Sequence, residues 1–429
     1  MTCCKSPKNF LIATWEGGGS VGPKLTVARK LAEAGHEVRV MSDECNRPEA
    51  EAIGARFIPW TRAPSRRDRS RESELIRDWA ASSPAEGFMQ AIDDVFAGPA
   101  LAYAQDVIEE LTREPADLVV SSELLFGVMA GCEAIGQDFV AMPCNWLFYP
   151  LDGAPRNFPE HRDDLDETAR AGIAEMKAGL KAMFDHGLPA LNTARAMLGL
   201  DPLNSVIDQL KPARKILLGI SRTFDFATLP DPEGFAYVGP QLDDPAWTAE
   251  WDSPWQQDDP RPLVLVGFST TFQNHTAVLQ RVVDALATLP VRGLVTLGPT
   301  IVPEEIVPAE NTRVVSSAPH NRVMKEAALV ITHGGHGTLA RAMGHQLPVL
   351  VIPHGRDQDG NAARIVEHGA GLMLPPASGT DEIAAAVKAL LHEQAYRDGA
   401  SRLGAAVGRE TRESPVVEEL EALCARAYA

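Results

Sequence analysis

The chain has 429 residues, 45% of them apolar and 23% charged, with a formal charge of −18 at pH 7. That length exceeds one ordinary core and implies two domains, while the acidic balance argues against a nucleic-acid partner, whose phosphates need a basic face. Six scattered cysteines (Cys3, Cys4, Cys45, Cys132, Cys144, Cys424) form no C-x-x-C pair, and no apolar run nears the roughly 20 residues of a bilayer span, so the expectation is a cytoplasmic chain without zinc site, disulfide framework, signal sequence or membrane segment.

The first half alternates strands and helices. NFLIAT (9–14) reads as a buried strand and PKLTVARKLAEAG (23–35) as a helix with Pro23 in its first turn and Gly35 as its stop. EVRVMSD (37–43), DLVVSS (117–122), DFVAMP (138–143) and KILLGIS (215–221) are further strands, and such alternation predicts parallel strands joined by crossover helices. The stretch RAPSRRDRSRE (62–72) reads as a solvated, mobile loop, with contact to an acidic ligand or membrane surface as the alternative. From about 150 to 209 the pattern turns helical.

Between the first strand and helix lies ATWEGGGSVGPKL (13–25), whose Gly17, Gly19 and Gly22 match the G-x-G-x-x-G of a dinucleotide loop, with Asp43 near the offset of a ribose-binding acid. Two features oppose that reading. Proline favours the first helical position, so the helix is expected to begin at Pro23 and leave Gly22 outside it. Glu16 also precedes the first glycine, where its charge suits a pyrophosphate poorly.

A segment dense in Pro and Asp (229–262), carrying Trp247, Trp251 and Trp255, is the expected linker. After it LVLVGFS (263–269), GLVTLG (293–298), RVVSSA (313–318), ALVITH (328–333), PVLVIPH (348–354) and GLMLP (371–375) restart the strand series. The predicted architecture is α/β, with two facing Rossmann-like domains, 1–238 and 239–429, around an interdomain cleft, and a C-terminal helix able to return to the first domain.

The densest chemistry lies in 328–371. A strand runs into HGGHGT and then a helix, which sets backbone N–H groups without obstructing side chains at a helix N-terminus, a site suited to a diphosphate. His333 and Thr338 add side-chain hydrogen bonds. The next strand delivers GRDQDGN to the same sheet edge, where Asp357 and Gln358 suit vicinal sugar hydroxyls. Together they point to a sugar nucleotide. A metal on His333 and His336 lacks supporting ligands at the right spacing. A calcium loop in DQDGN lacks its glycine and closing glutamate, and a purely structural turn is the remaining rival.

At these residues the chain resembles glycosyltransferase family 1 of the GT-B fold, which contains plant UDP-glycosyltransferases and bacterial macrolide and natural-product glycosyltransferases. The likeness is most specific over 316–374, with weaker likeness along nearly the whole chain. It implies an inverting, metal-independent transfer of a hexose from a UDP- or TDP-sugar, a co-substrate rather than a cofactor, to a hydrophobic small molecule. It assigns His333, Gly335, Gly337 and Thr338 to the donor phosphates, with Thr270 beside them, and Asp357 and Gln358 to the sugar. Ser317 and His320 fall in the segment lining the nucleobase. Ser317 replaces a stacking Trp of the plant enzymes, and Arg341 replaces a Glu that binds ribose, so uridine and thymidine both stay open.

In that family the loop after the first strand carries a catalytic His polarised by an Asp. Here Ser20 and Ser122 fall at those places, so the base is unassigned; Glu16 and Glu123, each at a predicted strand end, are the candidates, with Ser20 orienting the acceptor or relaying its proton. The first half is expected to bind the acceptor, with Phe88, Trp146 and Phe148 as candidate contacts. No metal site is expected, and the state is monomer or homodimer. The competing classes are a non-catalytic sugar-nucleotide-binding protein, favoured by the missing dyad, and an NAD-dependent oxidoreductase using the 17–22 glycines.

Overall fold

Runs as apolar as FLIA in 10–13 and LVLV in 263–266 leave no polar face for solvent, and the chain covers both sides of them with helices. The computed structural model describes residues 6–145, 151, 154, 160, 162–226, 230–244, 251–256, 258–269 and 271–425. Its first sheet is built from β1 (Asn9–Ala13), β2 (Glu37–Ser42), β3 (Arg56–Pro59), β4 (Leu118–Ser121), β5 (Phe139–Ala141), β6 (Ile216–Leu218) and β7 (Phe235–Tyr237), in the order β3-β2-β1-β4-β5-β6-β7. The second contains β8 (Leu263–Gly267), β9 (Arg292–Thr296), β10 (Thr312–Val315), β11 (Ala327–Thr332), β12 (Val349–Val351) and β13 (Gly371–Met373), in the order β10-β9-β8-β11-β12-β13. Every pairing is parallel. In both sheets the order reverses beside the first strand, between β1 and β4 and between β8 and β11. There the connections diverge and leave a crevice at the carboxyl ends of the strands.

Two strands escape the sequence pattern. β3 pairs only with β2 at the sheet edge, and its four residues close on Pro59, which an edge tolerates. β7 lies inside the segment expected to be linker, so the Pro- and Asp-rich connection begins only after Tyr237. The helix after β1 also starts earlier than expected, spanning Val21–Glu33, so Gly22 and Pro23 lie in its first turn. A proline there loses nothing, since the first four N–H groups of a helix have no intrahelical acceptor. The helix stops at Gly35, φ +90°, with Gly35 N–H donating to Ala32 O and His36 N–H to Leu31 O, the paired bonds of a Schellman stop.

The arginine-rich stretch is not a solvated loop. Arg62 pairs with Asp106 at 3.0 Å, Arg66 is buried against Glu74 at 3.2 Å, and Arg69 pairs with Glu16 at 3.2 Å and Glu49 at 2.7 Å. Arg71 crosses to the second half, donating to Thr300 O at 3.0 Å and pairing with Glu305 at 2.8 Å. The stretch is a strap whose carboxylate partners come from five other places in the chain.

Two more features join the halves. The last helix, Val416–Ala425, returns to the first sheet, where Val416, Leu420, Leu423 and Cys424 pack with Phe10, Val38 and Leu118. In the connection after β6, Asp225 accepts from Arg364 at 2.7 Å and from the Tyr237 hydroxyl at 2.7 Å, with both members of the ion pair fully buried. Burial pushes the Asp225 carboxyl up and the Arg364 guanidinium down, each countered by the other's charge. Removing one member of such a pair strands the other charge in the interior, at about 3–5 kcal/mol. Arg364→Met is therefore expected to lower the urea midpoint sharply, while the double variant with Asp225→Leu loses less than the single one; a double variant that is less stable than the single contradicts this.

Candidate functional site

The two crevices face each other and enclose a cleft of about 500 Å³. Its walls include the loop and helix start after β1, with Glu49, Ile53 and Arg69, on one side and, on the other, the segments after β8, β9, β10 and β11.

On the second-domain wall β11 ends at Thr332 and the chain turns through His333, Gly334 and Gly335 into the helix His336–Gly344. Gly334 takes φ +101°, and a Cβ on Gly335 would stand 2.8 Å from the His333 ring. The glycines therefore let the ring fold over the helix start. His333, Gly335, Gly337 and Thr338 all line the cleft. Burial, with His275, His354 and Arg356 nearby, holds His333 well below its ordinary value, so the ring is neutral. Gly334 N–H donates to Thr332 Oγ1, and the Thr332 hydroxyl lies 3.3 Å from His333 Nδ1. When that hydroxyl donates to Nδ1, the ring proton sits on Nε2 and makes His333 a donor to an anion.

Ser317 and His320 also line the cleft, with His320 Nε2 3.0 Å from the Thr296 hydroxyl. Arg341 reaches the wall too, donating to Gly337 O at 3.1 Å and Asp243 O at 2.6 Å. It places a cation where the resemblance expects a ribose-holding acid. Asp357 and Gln358 stand one step behind the wall. Gln358 accepts from His354 N–H at 2.7 Å and donates to Gln273 Oε1 at 2.8 Å, and Gln273 in turn donates to Ser269, which lines the cleft. Asp357 accepts from Asn361 at 2.8 Å. Thr270 lies outside the described residues.

On the first-domain wall the glycine loop has a local explanation. A Cβ on Gly17 would fall inside the Trp15 indole, which packs edge-on against Phe96 with centroids 5.2 Å apart, and Gly18 takes φ +73°. Asp43 turns inward rather than toward a ribose. It is buried, accepts from Glu16 N–H at 2.8 Å and Arg66 N–H at 2.7 Å, and burial pushes its carboxyl up to about 6.

Glu16 reaches the cleft, its Oε1 accepting from Gly18 N–H at 3.0 Å and its Oε2 from Arg69 at 3.2 Å. Ser20 sits between Gly19 and Val21, which line the wall, without lining it itself. Glu123 is not on the wall. It lies 3.5 Å from the buried Lys24, which also donates to Cys144 Sγ at 3.3 Å. Burial lowers the Lys24 ammonium, but Cys144 and Glu123 outweigh it and the net shift is upward. Ser122 bonds to the Thr14 hydroxyl. Phe88 packs edge-on against Phe184 at 5.0 Å on the margin of the core, away from the cleft wall. Trp146 and Phe148 lie outside the described residues.

Sequence reasoning missed Glu49 and saw Arg69 only as part of a run read as solvated, with an acidic ligand as the alternative; both line the cleft beside Glu16, in pairings that span 20 residues or more. It saw His336 only as a metal candidate. That ring lines the cleft, its Nε2 has no hydrogen-bond partner among the described residues, and no three His, Cys, Asp or Glu side chains among them are grouped to hold a metal ion. No helix of the described residues is long and apolar enough to cross a membrane.

Residues 280–423 match the family model described as erythromycin biosynthesis protein CIII-like, C-terminal domain. The chain is 27% identical over 414 residues to 4'-demethylrebeccamycin synthase of Lentzea aerocolonigenes, covering 92% of this chain and 94% of that one. It is 24% identical over 420 residues to demethyllactenocin mycarosyltransferase of Streptomyces fradiae, covering 94% and 84%. Among solved structures it superposes on CalG4, the calicheamicin glycosyltransferase, with a TM-score of 0.74 at 20% identity, covering 98% of this chain and 99% of that one.

The buried histidines make stability depend on pH. Burial first, then the Arg364 charge, pulls His336 from 6.5 to about 4. The unfolded chain therefore binds the extra proton between those values, so the histidine's contribution is whole above pH 6.5 and drains as pH falls toward 4, by up to about 1.4 kcal/mol per pH unit. Asp43, raised instead, works in the opposite direction between 3.8 and about 6, and cancels when a variant is compared with the parent. Urea unfolding of His336→Asn at pH 7, 6 and 5 should show a shallower fall than the parent; parallel curves would contradict a neutral buried ring.

Proposed function

We propose that this chain, a glycosyltransferase of family 1 type with the GT-B fold, moves a hexose from a UDP- or TDP-sugar to a hydrophobic small molecule, with inversion and without a metal or other cofactor. The observation that carries this is the meeting, in one cleft, of the HGGHGT helix start and the Glu16 carboxylate from opposite domains. Relatives named for a rebeccamycin-type and a lactenocin-type product support a natural-product acceptor. So does the apolar surface that Val21, Pro23, Leu25 and Ile53 give to the first-domain wall. A cytoplasmic location, where sugar nucleotides are made, is part of the same proposal and agrees with the free buried thiols of Cys45, Cys132, Cys144 and Cys424.

In this reading the diphosphate sits on the unpaired amides at the start of His336–Gly344, with the Thr338 hydroxyl and His333 Nε2–H completing its donors. Each helix-end charge interaction contributes roughly 0.3–2 kcal/mol. These interactions strengthen as charge builds on the leaving oxygen, which is where they speed the reaction. The cation of Arg341 stands near the sugar of the nucleoside. As the acceptor oxygen attacks the anomeric carbon from the face opposite the diphosphate, its proton passes to Glu16. The bond from that carbon to the diphosphate oxygen breaks, its electron pair leaves with the diphosphate, and the carbon inverts.

Glu16 is preferred over Glu123 because it opens on the cleft while Glu123 is engaged by Lys24. Arg69 holds the Glu16 side chain from one oxygen and the Gly18 amide from the other, which fixes its direction and leaves lone pairs for the proton. The second reading, a sugar-nucleotide-binding protein without turnover, rests on Ser20 and Ser122 at the places of the family dyad.

Incubation with mixed UDP- and TDP-hexoses and a panel of phenolic and polyketide acceptors, read by mass spectrometry, should give hexosylated product with matching release of nucleoside diphosphate. Donor binding without product across the panel favours the second reading. In the same assay Glu16→Gln should lower kcat about 10²–10⁴-fold with little change in donor KM, whereas Glu123→Gln stays close to the parent. Full activity in Glu16→Gln would remove that carboxylate from the chemistry. Gly335→Ala, which forces a methyl against the His333 ring, should raise donor KM.

A further inference from the structure

The strap that carries the arginines ends in contacts with the loops after β8 and β12 of the second domain. Three observations pin it. Arg71 lies 3.8 Å over the Phe272 ring, in addition to its bonds to Thr300 O and Glu305. Trp79 meets the same ring edge-on at 5.2 Å. Gly87 presses on the strap so closely that a Cβ there would stand 2.9 Å from Asp78 Cβ. Between these contacts Asp78 accepts from Arg356 Nε at 2.9 Å.

Arg356 is the residue directly before Asp357 and Gln358, and its backbone is left-handed, φ +60°, after Gly355 at φ +126°. A residue with a side chain keeps such a conformation only where its surroundings hold it. The guanidinium is held at two points, by Asp78 from the first domain and by the Thr271 hydroxyl, which accepts from Nη1 at 2.9 Å. Both members of the ion pair are only partly buried, so its contribution to stability is small. What it fixes is direction.

We propose that Asp78, in the acceptor-binding half, is a positioning residue for the donor hexose: by holding Arg356 it sets the turn from which Gln358, through Gln273, braces Ser269 on the cleft wall. The inference rests on the glycosyltransferase reading and deepens it. Grip on the sugar then depends on the first domain, while grip on the nucleoside diphosphate, held by the His336–Gly344 helix start, does not.

The test compares the parent with Asp78→Asn, Asp78→Ala, Asp78→Glu, Arg356→Ala and the double alanine variant. Calorimetry measures binding of UDP, TDP, UDP-glucose and TDP-glucose, and hydrogen exchange follows the amides of 354–361 in the free protein. Asp78→Asn and Asp78→Ala should weaken the sugar nucleotide about three- to fivefold and leave the diphosphate unchanged. Asp78→Glu should recover part of the loss, and the double variant should bind no worse than Arg356→Ala. Exchange at 355–358 should quicken. Equal weakening of sugar nucleotide and diphosphate, or no weakening, overturns the proposal. If the parent binds none of the four, the proposed function fails with it; in that case unchanged exchange in Asp78→Ala also removes the hold on the turn.

Discussion

Backbone amides at the start of a helix have no acceptor within it, and at His336 this local deficit opens on the cleft. Much of the molecule serves to keep it so. Parallel strands put the turn at the carboxyl edge of the sheet, the reversal of strand order beside β8 opens the crevice, and two glycines clear the approach. The buried, neutral His333 adds no fixed charge, so the donors of the proposed diphosphate site are dipoles whose directions are already set.

The opposite wall is organised by a carboxylate that never reaches the cleft. Asp43 accepts amides from both the glycine loop and the arginine strap, and so ties the segment bearing Glu16 to the segment bearing Arg69. Charges that look scattered in the sequence become a ladder, Glu49 to Arg69 to Glu16, at the mouth of the first domain. The strap then continues to the second domain, so the same stretch supports the candidate base and touches the turn at Arg356.

How much of this was legible follows from the range of the interactions. Strands with unbroken apolar runs announce themselves; β3 and β7 do not, since RFIP in β3 mixes an arginine and a proline with two apolar residues and FAY in β7 lies within a Pro- and Asp-rich stretch. The HGGHGT turn could be read because its geometry is local to six residues. Asp357 and Gln358 were named for the same reason, but the structure stands them behind Ser269, a placement that depends on Gln273, 85 residues away. The arginine run was misjudged because a charge run looks solvated until its partners are known, and those partners lie as far off as Glu305. Likewise Gly17 reads as a phosphate loop until Trp15 is seen folding onto it, and Glu123 reads as cleft-facing until Lys24 is seen beneath it.

The final helix carries a practical lesson for recombination. Because Val416, Leu420, Leu423 and Cys424 are part of the first sheet's packing, the chain is not two beads divided at a single linker. A chimera that joins the front of this protein to the back of a relative would need its last ten or so residues grafted from the front's own parent. A splice made only at the Pro-rich connection would leave a foreign helix to fill that groove.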